Sequence, residues 1–191
     1  PTSQIHVHKA YVGGAFGGKM DVYPYEICAA ILSQKAGRPV KIELTRQEVF
    51  TTTRLRFPTY IDIKTAVSAD GRILGQHIRT VVNNGAYRGT GPVVIFLFHG
   101  WTAPVYRVDN MRYEGVSVWT NSPVGGPQRG HGAPQIRFAI DSQLDMIARD
   151  LGLDPVDILV KNAREAGEVL PNGDKLESCG LRDCIEGAAA A

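Results

Sequence analysis

The residues of this 191-residue chain most able to do chemistry lie in two glycine-rich stretches. The first is Gly13-Gly14-Ala15-Phe16-Gly17-Gly18-Lys19-Met20, after the alternating run Ile5, Val7, Ala10-Tyr11-Val12 and before a helical pattern. Glycines in such a place let main-chain N–H groups approach an anionic or crowded ligand that a Cβ would hold away. The spelling is one residue short of a P-loop. Gly13, Gly18 and Lys19 fit, but Met20 stands where a Ser or Thr would ligate magnesium. The second stretch is Pro127-Gln128-Arg129-Gly130-His131-Gly132-Ala133-Pro134-Gln135, again ahead of a helix. Gly130 and Gly132 leave the backbone open beside Arg129, whose guanidinium fork suits a phosphate or a polar heterocycle. Two such loops in a chain of this size suggest one large polar ligand held from two sides.

The elements that must position these loops can be read from periodicity. Residues 4–12 alternate as a strand, and Tyr23 to Lys35 suits a helix with Ile27, Ala30, Ile31 and Leu32 apolar, ended at Gly37 and Pro39. Val40 to Leu44 alternates again, giving a strand–helix–strand unit. Runs at 59–69 and 73–83 joined by Asp70-Gly71 predict a hairpin. Pro92 to Trp101 predicts a helix, Arg112 to Trp119 a strand, and Pro134 to Leu151 a long helix stopped by Gly152. Asp154-Pro155 opens a short helix, and Pro171-Asn172-Gly173-Asp174 is a turn. Without regular βαβ alternation the class is α+β, with mixed or antiparallel sheets and packed helices. A seam near residues 52–58 divides a 1–57 strand–helix–strand part from a 58–191 part with the hairpin, second loop and later helices.

Composition narrows the function classes. The chain is 43% hydrophobic and 21% charged with a formal charge of +2, enough for a core but no electrostatic case for nucleic acid or a membrane surface. The longest apolar run, Val93 to Phe98, is far too short to span a bilayer. Three cysteines make no disulfide framework, so a reducing, cytoplasmic setting is expected. A start at Pro1 in strand-like sequence and an end in Ala188 to Ala191 read as a piece of a longer polypeptide.

The pair GGAFGGK and QRGHGAPQ resembles the molybdenum-cofactor-binding large subunit of the xanthine oxidase family of molybdenum hydroxylases. The likeness continues through Ala36-Gly37-Arg38-Pro39-Val40-Lys41, Asn84-Gly85-Ala86-Tyr87 and the helix after Gln135. With Leu170 to Lys175 added, the spelling is most similar to the alpha subunit branch of 4-hydroxybenzoyl-CoA reductase. The resemblance implies an aldehyde oxidase/xanthine dehydrogenase-type molybdopterin-binding domain. In it Gly14, Phe16 and Gly17 contact the cofactor, and Arg129 lies on the pterin side flanked by Gln128 and Gly130. The pterin dithiolene holds the metal, so no protein ligand to the metal is expected, and the family's catalytic glutamate lies beyond this chain. Met20 stands where purine-hydroxylating relatives carry an acid, and His131 replaces an aromatic residue that packs on purines. Both argue against a purine, and with Tyr87 and Arg88 they are expected along the substrate channel. The implied cofactor is molybdenum–molybdopterin, its cytosine dinucleotide form being one option. Iron–sulfur clusters and FAD are expected on other subunits or domains, because Cys28, Cys179 and Cys184 cannot build a cluster. The implied partners are the rest of the molybdenum subunit, an iron–sulfur subunit, a flavin subunit and a small-molecule substrate.

Plainer readings apply elsewhere. His6 and His8 share one strand face but have no third ligand, and read as ordinary histidines. Cys28 reads as core, Cys179 and Cys184 as free thiols, and Arg54 with Arg56 as a solvated face. Phe138, Leu144, Ile147 and Ala148 read as the buried side of the long helix, with Asp141, Asp145 and Arg149 opposite. Two other classes stay open: a nucleotide-binding module built on the first loop, and a structural domain with no ligand of its own.

Overall fold

The hairpin expected at Asp70-Gly71 organises the molecule, which a computed structural model describes over residues 2–191. Strands β1 (Thr59–Val67) and β2 (Ile73–Gly85) pair antiparallel across it. Gly71 takes φ 83°, and a Cβ there would press on Ile158 Cγ1 at 2.8 Å. Helix α3 (Gly91–Thr102) then crosses over and delivers β3 (Asn110–Trp119) parallel to β2. A parallel neighbour requires such a crossover. The order β1-β2-β3 makes β2 central, so Ile78, Thr80 and Val82 are fully buried while Ile61, Ile63 and Val67 of β1 pack at the margin.

Helix α4 (Ala133–Leu151) closes the core with Ile136, Ile140, Leu144 and Ala148, one stripe at four-residue spacing. Phe138 was expected on that stripe but is 77% exposed. Two positions beyond Ile136, it projects roughly 200° round the helix and meets solvent. Asp145 pairs with Arg149 on the outer side, whereas Asp141 pairs with Arg137 and accepts from Tyr106 Oη at 3.0 Å. Helix α5 (Pro155–Asn162) is capped by Asp154, whose carboxylate accepts from Val156 N at 2.7 Å. Its last residue, Asn162, is buried against the hairpin. Its Oδ1 accepts from Ile73 N at 2.9 Å, and its Nδ2 donates to Gly71 O at 2.9 Å. After the 171–174 turn, α6 (Leu181–Ala189) carries Cys184 exposed.

The N-terminal part departs from expectation. Helix α1 (Pro24–Ala36) forms and ends on Gly37 at φ 62°, and α2 (Arg46–Thr52) opens with a Thr45/Glu48 capping box. Residues 5–12 and 40–44, however, join no sheet. Alternation supplies two side-chain faces, but a strand exists only where N–H and C=O groups meet a neighbouring chain. The expected strand–helix–strand unit is therefore a helix between two segments that belong to no sheet. Cys28, expected in the core, is exposed with Ile27, Ile31 and Leu32, because α1 packs no sheet of its own. The class remains α+β with a mixed sheet.

Candidate functional site

The end of β2 anchors the second loop. Gly85 takes φ 75°, and a Cβ there would lie 2.4 Å from Pro123 O. Gly125 N donates to Asn84 O at 3.3 Å and Ala86 N to Ser122 O at 3.1 Å. These contacts lay residues 120–126 along the strand end and feed residues 127–132 into the start of α4.

The first loop meets the second directly. Arg129 N donates to Phe16 O at 2.7 Å. Gly17, at φ 96°, backs onto Pro127, whose carbonyl oxygen would be 2.6 Å from a Cβ. The Arg129 guanidinium lies 6.0 Å from the centroid of the Phe16 ring. Of the six expected binding residues, Phe16, Gly17, Gln128 and Arg129 thus share one seam. Gly14 sits under the Phe16 ring, and Gly130, at φ 86°, turns against Pro134.

Phe16 and His131 are the non-glycine residues with positive φ among the described residues, at 50° and 28°, one in each loop. Such conformations cost on the order of 1–3 kcal/mol each and persist only where neighbours over-determine them. Here the neighbours include Tyr23, expected to begin a helix, and Arg54 and Arg56, expected as a solvated face. Tyr23, buried at the start of α1, donates its hydroxyl to Gly18 O at 2.8 Å. Burial, then the nearby Tyr25 and Asp21, push that phenol above its ordinary pKa. Arg54 donates to Asp21 Oδ2 at 3.0 Å, and its carbonyl accepts from Gln128 Nε2 at 3.3 Å. Arg56 donates to Arg129 O at 2.9 Å and reaches Gln135 Oε1 at 3.4 Å. Arg54 and Arg56 are therefore not a solvated face; they line the seam between the loops. Their two-residue spacing signals extended chain, but no local feature says what that chain lies against.

His131 stacks near Phe57, with ring centroids 6.3 Å apart, and its Nε2 lies 3.4 Å from Thr90 Oγ1. Burial, helped by the Arg56 charge, lowers its pKa below the ordinary histidine value. Tyr87 borders a small cleft of about 220 Å³ with Tyr23, Arg54 and Val124. Arg88 is exposed, and its carbonyl accepts from Asn84 Nδ2 at 2.5 Å. A larger cleft of about 630 Å³ opens beside the first loop, lined by Phe16, Gly18, Lys19, Arg54, Arg56 and Gln128. Met20 is exposed and lines neither cleft.

What the seam offers chemically is donors. The N–H groups of residues 13–17, and of Gln128 and Gly130, meet no acceptor among the described residues. The Arg129 guanidinium likewise makes no ion pair among them. No group of three or more His, Cys, Asp or Glu able to hold a metal ion forms among them. The first loop is not a P-loop in shape, because α1 begins at Pro24 and Lys19 does not open a helix. The sequence profile of the molybdopterin cofactor-binding domain matches residues 1–163.

The chain belongs to that family.

This molybdopterin-binding chain is 38% identical over 187 residues to the xanthine dehydrogenase molybdenum-binding subunit of Escherichia coli O157:H7, covering 97% of the chain and 25% of that subunit. It is 35% identical to the nicotinate dehydrogenase large molybdopterin subunit of Eubacterium barkeri, covering 98% of the chain and 44% of that subunit. The solved aldehyde oxidoreductase of Desulfovibrio gigas matches with a TM-score of 0.82 at 32% identity, over 93% of this chain and 20% of that one. The chain spans about a quarter of the xanthine dehydrogenase subunit. The family and the mixed α+β architecture are thus those of a xanthine dehydrogenase/aldehyde oxidoreductase-type domain.

Proposed function

We propose that the seam between the two glycine loops is one wall of a molybdopterin site in a molybdenum hydroxylase-type oxidoreductase. The observation that carries this reading is the Arg129 N to Phe16 O bond, which joins the two loops around unused donors. A pterin and its phosphate present acceptor oxygens and nitrogens, which such donors match. When bound, the molybdenum cofactor supplies two-electron redox chemistry. Gly14, Phe16 and Gly17 hold it from one side, and Gln128, Arg129 and Gly130 from the other. The chain contributes positioning and charge, and no ligand to the metal. Residues 1–191 by themselves are inactive in this reading, because the catalytic glutamate, iron–sulfur centres and flavin belong to the remaining chain or to partner subunits.

We read the substrate class from Met20 and His131, which with Tyr87 and Arg88 would face the substrate channel of the complete subunit; in this chain Met20 lines neither cleft and Tyr87 borders the smaller one. Met20 offers no carboxylate to a purine, and the lowered pKa of His131 leaves it a neutral, flat surface at ordinary pH. An aromatic thioester of the 4-hydroxybenzoyl-CoA kind, an aromatic heterocycle or an aldehyde fits better. The test is to purify the full-length protein and measure molybdenum and pterin. Near-stoichiometric content is expected, and Arg129→Ala should lower it roughly tenfold through loss of a charge-assisted contact. An intact fold without molybdenum overturns the reading.

A further inference from the structure

The Arg129 peptide is gripped on both sides. Its N–H donates to Phe16 O at 2.7 Å, and its carbonyl accepts from Arg56 at 2.9 Å. Its side chain, by contrast, meets the Phe16 ring at 6.0 Å and no hydrogen-bond or ion-pair partner among the described residues. The orientation of that guanidinium then depends on its main chain, which Phe16 holds on the N–H side and Arg56 on the carbonyl side. The same Arg56 reaches Gln135 Oε1, and Gln135 Nε2 donates to Phe57 O at 3.2 Å. One fork thereby ties the extended segment 54–57, the second loop and the first turn of α4. Arg54 does not duplicate this role, because its guanidinium pairs with Asp21 on the first-loop side. A lysine could not duplicate it either, since one ammonium does not span two acceptors set by a planar fork.

We infer that Arg56 is a positioning residue: it fixes the Arg129 main chain so that the Arg129 guanidinium is presented for ligand binding. The inference rests on the cofactor reading of Arg129 given above. No contact between Arg56 and the cofactor is involved. The cost of losing Arg56 falls on the second loop before it falls on the fold, because Arg56 belongs to neither the sheet nor the stripe of α4.

The test uses the full-length protein with Arg56→Ala, Arg56→Lys and Arg129→Ala. Amide hydrogen exchange is followed in cofactor-free protein, and molybdenum and pterin content in protein purified from cells. In Arg56→Ala, peptides covering residues 127–132 should exchange roughly tenfold faster while β2 stays protected, and cofactor content should fall roughly tenfold. Arg56→Lys should recover part of both, because it regains one of two acceptors. Unchanged exchange at 127–132, or faster exchange spread evenly over β1, β2 and β3, overturns the inference. So does local loosening with wild-type cofactor content when Arg129→Ala loses cofactor. Wild-type content in Arg129→Ala itself overturns the cofactor reading of that residue, and the role of Arg56 in loading falls with it.

Discussion

Between Phe57 and Arg164 the chain buries the sheet residues Ile73, Ile78 and Val82 against Ile136, Ile140 and Leu144, whereas from Thr2 to Arg56 it buries Tyr23 alone. Both regions carry helices with caps and runs with period-2 alternation. They differ in what the patterns find to pair with. In the second region the Asp70-Gly71 turn brings two alternating runs together within one short stretch of chain, and their apolar faces then meet α3 and α4. In the first region the alternating runs at 5–12 and 40–44 flank α1 without joining each other. The two loops inherit this difference. The second is bolted to the end of β2 and to α4, while the first is held by Tyr23, by Asp21 through Arg54, and by the second loop itself.

Three measurements on the chain would break or sharpen that contrast. The largest effect is expected from Leu144→Ala, which should lower unfolding free energy by about 2–5 kcal/mol in urea titration. Ile31→Ala, on the exposed face of α1, should stay within about 0.5 kcal/mol. A large loss at Ile31 would show that the first region has a core of its own.

Gly17→Ala comes next. Its φ of 96° and the nearby Pro127 oxygen make an added Cβ cost about 1–3 kcal/mol. The first loop should then exchange amide hydrogens faster while β2 and α4 stay protected. Equal loosening of both would mean that the first loop is part of the core after all.

The smallest effect concerns pH. The Ser68 hydroxyl, followed by Lys161, holds the exposed Asp70 carboxyl at about 2. A depressed carboxylate stabilises the folded state above its unfolded value, about 3.9. That contribution is lost as pH falls from about 4 toward 2. Asp70→Asn should flatten stability in this window, and an unchanged slope would remove the turn from the list of acid-sensitive points.

Much of this was legible in local sequence. Asp70-Gly71 between alternating runs, Gly152 after α4 and Asp154-Pro155 before α5 each act within a few residues, so their consequences can be read where they stand. The two glycine loops were legible for the same reason, and their order along the chain carried the family resemblance. Phe138 was misplaced because a helix stripe depends on its rotational start, which the sheet chooses. Cys28 was misplaced because an apolar face says nothing of whether a partner face is present.

The site divides along the same line. Residue types and spacing alone determined that the two glycine loops would expose main-chain donors, and that Arg129 would bring a fork to them. Tertiary structure alone decided that Arg56 meets the Arg129 carbonyl across 73 residues of chain, and that Arg54 carries Asp21 to the same seam. The physical reason is range. Turn, cap and glycine chemistry is settled among neighbours, whereas the side of an extended segment that becomes a contact is settled only when β2 and α4 have packed and set the second loop beside it.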